Sequence, residues 1–529
     1  MTDHPDKSVA NGGHPGAIAA IDPDHTAVIA QDGSRLSYRE LDTRSLALAQ
    51  KLHQSGIVRG DAVALLIGNR IDFFVAAWAA QRSGLYFIPI ATRLTPTELA
   101  YIFDDSGARA LILDPALVEP AAAALAATVN AKPLVLTLDP VDGYEAVPQE
   151  IDADLPLPEP IEGGDMLYTS GTTGRPKAVR RALEYAALGS DMRRTLRDAD
   201  LYGMDADTVF LTPAPLYHAA PLRFSLNRHR TGGMVVVMNK FDPEQALALI
   251  ERERVTHSQW VPTMFARLLE LPEDARTRYD LSSHRVAIHA GAPCPPDIKR
   301  AMIDWWGPIL YEYYSGTEGV GFTHSTSAEW LERPGTVGKA YGSTIHIVGE
   351  DGKELPVGET GTVYFEGRAG LVYHNAPEKT REAHHPKGWA TFGDIGHVDE
   401  DGFLFLSDRR SFTIVSGGVN IYPAEIEAAL AVHPAVFDAA AFGVPDPTFG
   451  ETVQAVVQLH EGEGSEALAR EILAFLRERI AAFKLPKFIA FRSDLPRTET
   501  GKLQKHKIRD DYADPVNRGF DMRRAGVRT

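Results

Sequence analysis

Residues 169–177, Thr-Ser-Gly-Thr-Thr-Gly-Arg-Pro-Lys, set four hydroxyls, two glycines and a lysine in one short run. Such a loop can turn backbone N–H groups and hydroxyls inward around anionic oxygens, with Lys177 adding charge. Glycine serves where backbone must approach a phosphate closely. The run does not match GxxxxGK[ST], so a P-loop NTPase is not indicated. Four further stretches carry complementary chemistry. In His289-Ala-Gly-Ala-Pro-Cys-Pro295, small residues would let a flat base lie against backbone. Tyr313-Tyr-Ser-Gly-Thr-Glu318 ends in a carboxylate of the kind that, with phosphate oxygens, suits Mg²⁺. In Trp389-Ala-Thr-Phe-Gly-Asp-Ile-Gly396, Asp394 could accept two ribose hydroxyls. Arg409 offers a planar fork for oxyanions.

Activating a carboxylate needs these parts. Its attack on the α-phosphate of ATP, and a later thiolate attack on the acyl-AMP, both build negative charge. Taken in order, Tyr168 to Lys177, Gly291-Ala292-Pro293, Tyr314 to Glu318, Asp394, Arg409, Ser416-Gly-Gly-Val-Asn and Leu495-Pro-Arg-Thr-Glu-Thr-Gly-Lys502 resemble the motifs of the adenylate-forming superfamily, in particular its AMP-forming acyl-CoA synthetases. The resemblance spans residues 25–510. It implies that Thr169, Ser170, Gly171, Thr172, Thr173, Gly174 and Lys177 bind phosphates. It assigns Gly291, Ala292, Pro293 and Tyr314 to adenine, and Asp394 and Arg409 to ribose or phosphate. Thr317 would contact the α-phosphate, and Glu318 would hold Mg²⁺ together with Thr169. Gly417 and Gly418 would pass the pantetheine arm of coenzyme A. Lys502 would be the catalytic lysine and His218 would gate the acid site. Two positions depart from the family: Phe392 replaces a usual threonine, and Ser411 stands where Asp or Lys commonly forms the hinge.

The implied activity is an ATP-dependent acid:CoA ligase with ATP, Mg²⁺ and coenzyme A as cofactors. An acyl-AMP ligase loading a carrier protein is the alternative, and a catalytically silent nucleotide-binding protein the reading from another class. Ala219, Ala220, Trp260 and Met264 are candidate walls of a largely apolar acid pocket. No Asp in the Leu216–Ala219 segment resembles the amino-group anchor of amino-acid adenylation domains. The expected substrate is a fatty, aryl or alicyclic (steroid-type) carboxylic acid.

These residues need a scaffold, and the patterning predicts an α/β one. A hairpin is expected to turn at Asp32-Gly33. Capping boxes at Ser37/Glu40 and Thr95/Glu98 open helices, the second with Pro96 at its first position. Strands at 62–67, 86–90 and 108–113 alternate with helices, as in a parallel sheet. A second α/β run has strands near 209–211, 234–238, 258–261, 285–289 and 309–313. Short strands with Gly turns from about Ile345 predict a small β-rich subdomain. The expected organisation is an N-terminal adenylation domain of two α/β sheet subdomains plus that β-rich unit (1–410), then a small mobile α+β C-terminal domain (411–529).

The formal charge of −17 disfavours nucleic-acid binding. The single cysteine, Cys294, excludes an internal disulfide and a Cys-cluster metal site. The apolar stretch 73–90 is broken by Gln81 and Arg82, and the first residues lack an apolar signal core. The chain therefore reads as a cytoplasmic enzyme with small-molecule partners, no integral membrane association, and a homodimer left open.

Overall fold

The structure, a computed structural model, describes all residues except 1–12, 170–176, 368–371, 410–411, 413, 417–418, 447–448, 498–502 and 525–529. Ser170, Gly171, Thr172, Thr173, Gly174, Ser411, Gly417, Gly418 and Lys502 thus lie outside the described residues, as do the side chains of Thr169, Asp408 and Arg409.

Three sheets organise the chain. The first has seven strands, in the order 145–146, 134–137, 110–113, 62–66, 86–89, 164–169, 177–180. It is parallel except for the closing hairpin, where Thr169 pairs with Lys177. Its central strands, AVALL at 62–66 and ALIL at 110–113, are buried at every position, as parallel strands covered on both faces must be. Both capping boxes form as expected: Ser37 and Thr95 each accept the N3 amide while Glu40 and Glu98 reach back.

The second sheet runs through thirteen strands. Its parallel centre comprises 310–314, 286–289, 257–260, 209–212, 234–237 and 26–30. Two features differ from a purely sequential reading. The hairpin 26–37 does not join the sheet of its immediate successors but extends this one, with Val28 in register with Val235. The β-rich unit is not a separate sheet either. Strands 344–348, 361–366, 394–398 and 403–409 continue the same hydrogen-bonded order through 336–340.

Helices Asp72–Gln81 and Ala219–Thr231 are buried together in one core with residues of both sheets. The first is apolar all round, and residues 73–81 are all buried, as expected for a helix with no solvent face. Trp78 donates through its indole N–H to His229 Nδ1 at 3.1 Å. Burial pushes His229 down to about 3, so it stays neutral and can accept that bond. The sheets change partner after Arg409: strands from Ile414 onward build a third, six-stranded sheet packed on helices Pro423–Ala431 and Glu466–Arg477. Among the described residues no helix is long and apolar enough to cross a membrane.

Candidate active site

The parallel strands of the second sheet deliver their carboxyl ends to one cleft of ≈ 2500 Å³, the usual position for ligands on such sheets. Lys177, His218, Gly291, Thr317 and Glu318 all line it. Tyr373 and Gly393 of the β-rich region and Arg497, Gln504 and Lys507 of the C-terminal region also reach it. Lys502 itself is outside the described residues, but Arg497 and Leu503 are joined by a backbone bridge.

At the phosphate end, Lys177 begins strand 177–180 instead of lying within a loop. Its ammonium is pushed below the usual lysine range by partial burial and by the charge of Lys379, which lines the same cleft. Glu318 is held from two sides. Its Oε1 accepts from the Tyr373 hydroxyl at 2.9 Å, and its backbone carbonyl accepts from Arg181 Nη2 at 3.3 Å. The glycines around it are structural requirements. A Cβ on Gly316 would fall 2.6 Å from both Glu318 Oε2 and the Phe392 ring, and one on Gly319, at φ +62°, would fall 1.8 Å from Arg181 Nη2. Neither Tyr373 nor Arg181 was singled out from the sequence, and neither sits in a motif suggesting contact with Glu318.

At the nucleoside end, Gly291 adopts φ +90°, a conformation that favours glycine. Ala292 and Pro293 continue the turn but are not part of the cleft wall. Tyr314 and Asp394 also stand off that wall and meet each other: the Tyr314 hydroxyl donates to Asp394 Oδ2, and Phe392 contacts the Tyr314 ring edge-on at 5.4 Å. Asp394 pairs in register with Arg409 across adjacent antiparallel strands, which brings together two positions fifteen residues apart in sequence. Behind this end, a buried pair between Lys299 Nζ and Glu312 Oε2 at 2.5 Å ties helix Pro296–Trp306 to strand Leu310–Tyr314. Cys294 is half-buried, and burial together with Glu312 pushes its thiol up, away from the reactive thiolate.

At the acid end, His218 precedes helix Ala219–Thr231 and its ring lies against Tyr217 at 4.5 Å. Ala219 and Ala220 line the cleft as expected. Trp260 and Met264 do not, which corrects the expected pocket walls. Both are buried in the core on the far side of the sheet, Trp260 against Phe265 and Trp306. Side chains alternate along a strand, so Gln259, not Trp260, faces the cleft. That alternation was the available signal for Gln259.

The donor set fits the groups that the motifs imply. Glu318 supplies one oriented carboxylate, and Mg²⁺ on nucleotides needs only one or two alongside phosphate oxygens. Among the described residues no group of three or more His, Cys, Asp or Glu could hold a metal by itself.

Two family models and several known proteins match this chain. The family model described as AMP-binding enzyme matches residues 17–372, and the one described as AMP-binding enzyme C-terminal domain matches residues 425–502. A feruloyl-CoA synthase of Amycolatopsis sp is 35% identical over 507 residues, covering 94% of this chain and 98% of that one. The long-chain-fatty-acid–CoA ligase FadD13 of Mycobacterium tuberculosis is 33% identical over 492 residues, covering 91% and 94%. Among solved structures, o-succinylbenzoate CoA synthetase of Bacillus subtilis, in complex with its acyl-adenylate intermediate, superposes with a TM-score of 0.77 at 26% identity. The match covers 97% of this chain and 99% of that one.

Proposed function

The chain belongs to the family of AMP-binding enzymes, and on that premise we propose that it is an ATP-dependent acid:CoA ligase acting on an apolar carboxylic acid of the fatty, aryl or alicyclic type. One observation carries the reading: Lys177, His218, Gly291, Thr317 and Glu318, drawn from well-separated parts of the sequence, converge on one cleft. In the first half-reaction a substrate carboxylate oxygen forms a bond to the α-phosphorus of ATP. The α–β anhydride bond breaks, and pyrophosphate leaves. In the second, the coenzyme A sulfur forms the thioester bond, the acyl C–O bond to AMP breaks, and the thiol proton passes to solvent.

Lys177 and the hydroxyl loop before it would clamp the β- and γ-phosphates, so the loop's task is to hold a leaving group. Glu318, with Thr169, would hold Mg²⁺, which when bound neutralises phosphate charge. Thr317 would orient the α-phosphate, and Asp394 with Arg409 the ribose and its phosphate. Lys502 would bridge the acid carboxylate and the α-phosphate as charge develops. Residues 1–410 would form the adenylation domain. Residues 411–529 would form the mobile domain that presents first Lys502 and then the Gly417-Gly418 loop.

The test is a panel of acids assayed for acid-dependent ATP–pyrophosphate exchange without coenzyme A, then for AMP release with it. The expected result is exchange with apolar acids and stoichiometric thioester and AMP on adding coenzyme A. No exchange with any acid would overturn the activity. Exchange with transfer only to a carrier protein would replace coenzyme A as the acceptor.

A further inference from the structure

A side chamber of ≈ 370 Å³ lies beside the main cleft, and Arg181, Arg194 and Arg223 belong to the walls of both. Its charges nearly pair off. Arg223 binds Asp165 through Nη2 at 2.6 Å and Nε at 3.2 Å. Arg230 pairs with Glu162, and Arg193 donates to Asp191 at 3.0 Å. Among the described residues, Arg181 and Arg194 are left without a carboxylate of their own.

These two differ. Arg181 is fixed: its Nη2 bonds the Glu318 carbonyl and lies where Gly319 leaves room. Arg194 is poised. Among the described residues its guanidinium donates no hydrogen bond. The nearest carboxylate oxygen, Asp165 Oδ1, is 3.9 Å away on a carboxylate already gripped by Arg223. Its side chain is 28% exposed. Burial and the neighbouring Arg223 push Arg194 down to about 9 and Arg181 down to about 10. A planar fork of N–H donors, half-buried with surplus positive charge, is suited to bidentate recognition of an oxyanion.

We propose that Arg194, backed by Arg181 and by Arg223, which lies one turn along helix Ala219–Thr231 from the cleft-lining Ala219 and Ala220, forms a second anion subsite beside the cleft, and that the acid activated here carries a second carboxylate that Arg194 grips. The proposal rests on the ligase reading and narrows its substrate class: an acid with an apolar body and a second acidic end. A free inorganic oxyanion has the same recognition chemistry, and the experiment separates it from a substrate carboxylate.

Wild type, Arg194→Gln and Arg194→Lys would be compared on α,ω-dicarboxylic acids and their monomethyl esters, scored as the ratio of kcat/KM for diacid over monoester. Wild type should favour the best diacid by roughly tenfold or more, the worth of one partly buried charge-assisted contact. Arg194→Gln should bring the ratio towards one, and Arg194→Lys should restore part of it. A role confined to holding the fold would lower both acids in step and leave the ratio where it was, which overturns the proposal. So does a wild-type ratio near one across the series. Thermal stabilisation by sulfate in wild type alone, without a diacid preference, would assign the chamber to a free anion and also overturn it. Calorimetric binding of the diacid to wild type and Arg194→Gln keeps the two readings apart. Arg194-dependent binding without exchange sinks the ligase reading and leaves the subsite, whereas exchange without such binding sinks the subsite.

Discussion

Replacing Asp165 by Asn keeps the side chain's shape and removes the carboxylate charge on which Arg223, Arg194 and Arg181 all act. Asp165 is 13% exposed and Arg223 15%. Burial by itself would favour the neutral acid, but Arg223 and Arg194 outweigh it and hold the carboxyl well below the usual carboxylate range. Breaking a buried pair by removing one partner costs about 3–5 kcal/mol. The Coulomb term for the 3.9 Å contact with Arg194, at an effective dielectric of about 20, is about 4 kcal/mol, which is of the same size. For an N-terminal region of roughly 400 residues, an unfolding entropy of about 2.1 cal/mol/K per residue converts this into a fall of about 4–6 °C in melting temperature. Circular dichroism melts of ligand-free wild type and Asp165→Asn measure it. The pH dependence is a second check. Because the folded pKa is depressed, the stability contributed by Asp165 is fully present above the unfolded value, about 3.9. It is lost as pH falls through the lower, folded value. The gap between wild type and variant should therefore be widest near neutrality and narrow below about pH 4. A drop of less than about 1 °C at neutral pH, or a gap that persists in acid, would refute the assignment of Asp165 as the counter-ion of this cluster.

Three other substitutions probe the phosphate end. Tyr373→Phe removes the 2.9 Å donor to Glu318; a loss of about 1–2 kcal/mol should raise the Mg²⁺ concentration for half-maximal exchange about 5–30-fold, and an unchanged Mg²⁺ titration would refute the positioning role. Gly319→Ala forces a left-handed alanine and evicts the Arg181 guanidinium, so kcat/KM for ATP should fall about tenfold or more; wild-type kinetics would show that the turn does not depend on that contact. Lys502→Ala should abolish pyrophosphate exchange yet still convert presynthesised acyl-AMP with coenzyme A, and normal pyrophosphate release by the variant would remove Lys502 from the chemistry.

How far these features were legible in the sequence depends on how local their causes are. A capping box is a four-residue event, so Ser37/Glu40 and Thr95/Glu98 could be read directly and both form. The partner of hairpin 26–37 is a strand some two hundred residues later, chosen by how two sheets enclose shared helices, and no local pattern encodes that choice. Trp260 and Met264 suggested pocket walls because they are large and apolar, whereas strand alternation sends Trp260 into the core and gives Gln259 to the cleft.

The candidate site divides the same way. Residues 169–177 and 313–318 stand out in the sequence because close approach to phosphate would demand particular residue types in one stretch. The arginine chamber was not legible. Asp165, Arg181, Arg194 and Arg223 come from a strand, a loop and two helices, and each alone looks like an ordinary solvated charge. Only the fold makes them one electrostatic unit. That unit also touches the chemistry: Arg223 reaches the Thr317 carbonyl at 3.4 Å and Arg181 the Glu318 carbonyl at 3.3 Å. The wall that would recognise the acid's second charge is therefore bonded to the turn that would hold the α-phosphate and Mg²⁺. A change in the charge balance of the chamber acts on both, because the guanidiniums that donate to the turn are those that Asp165 neutralises. On the proposed roles, specificity for the acid and competence toward ATP would be coupled through the backbone of two consecutive residues, Thr317 and Glu318.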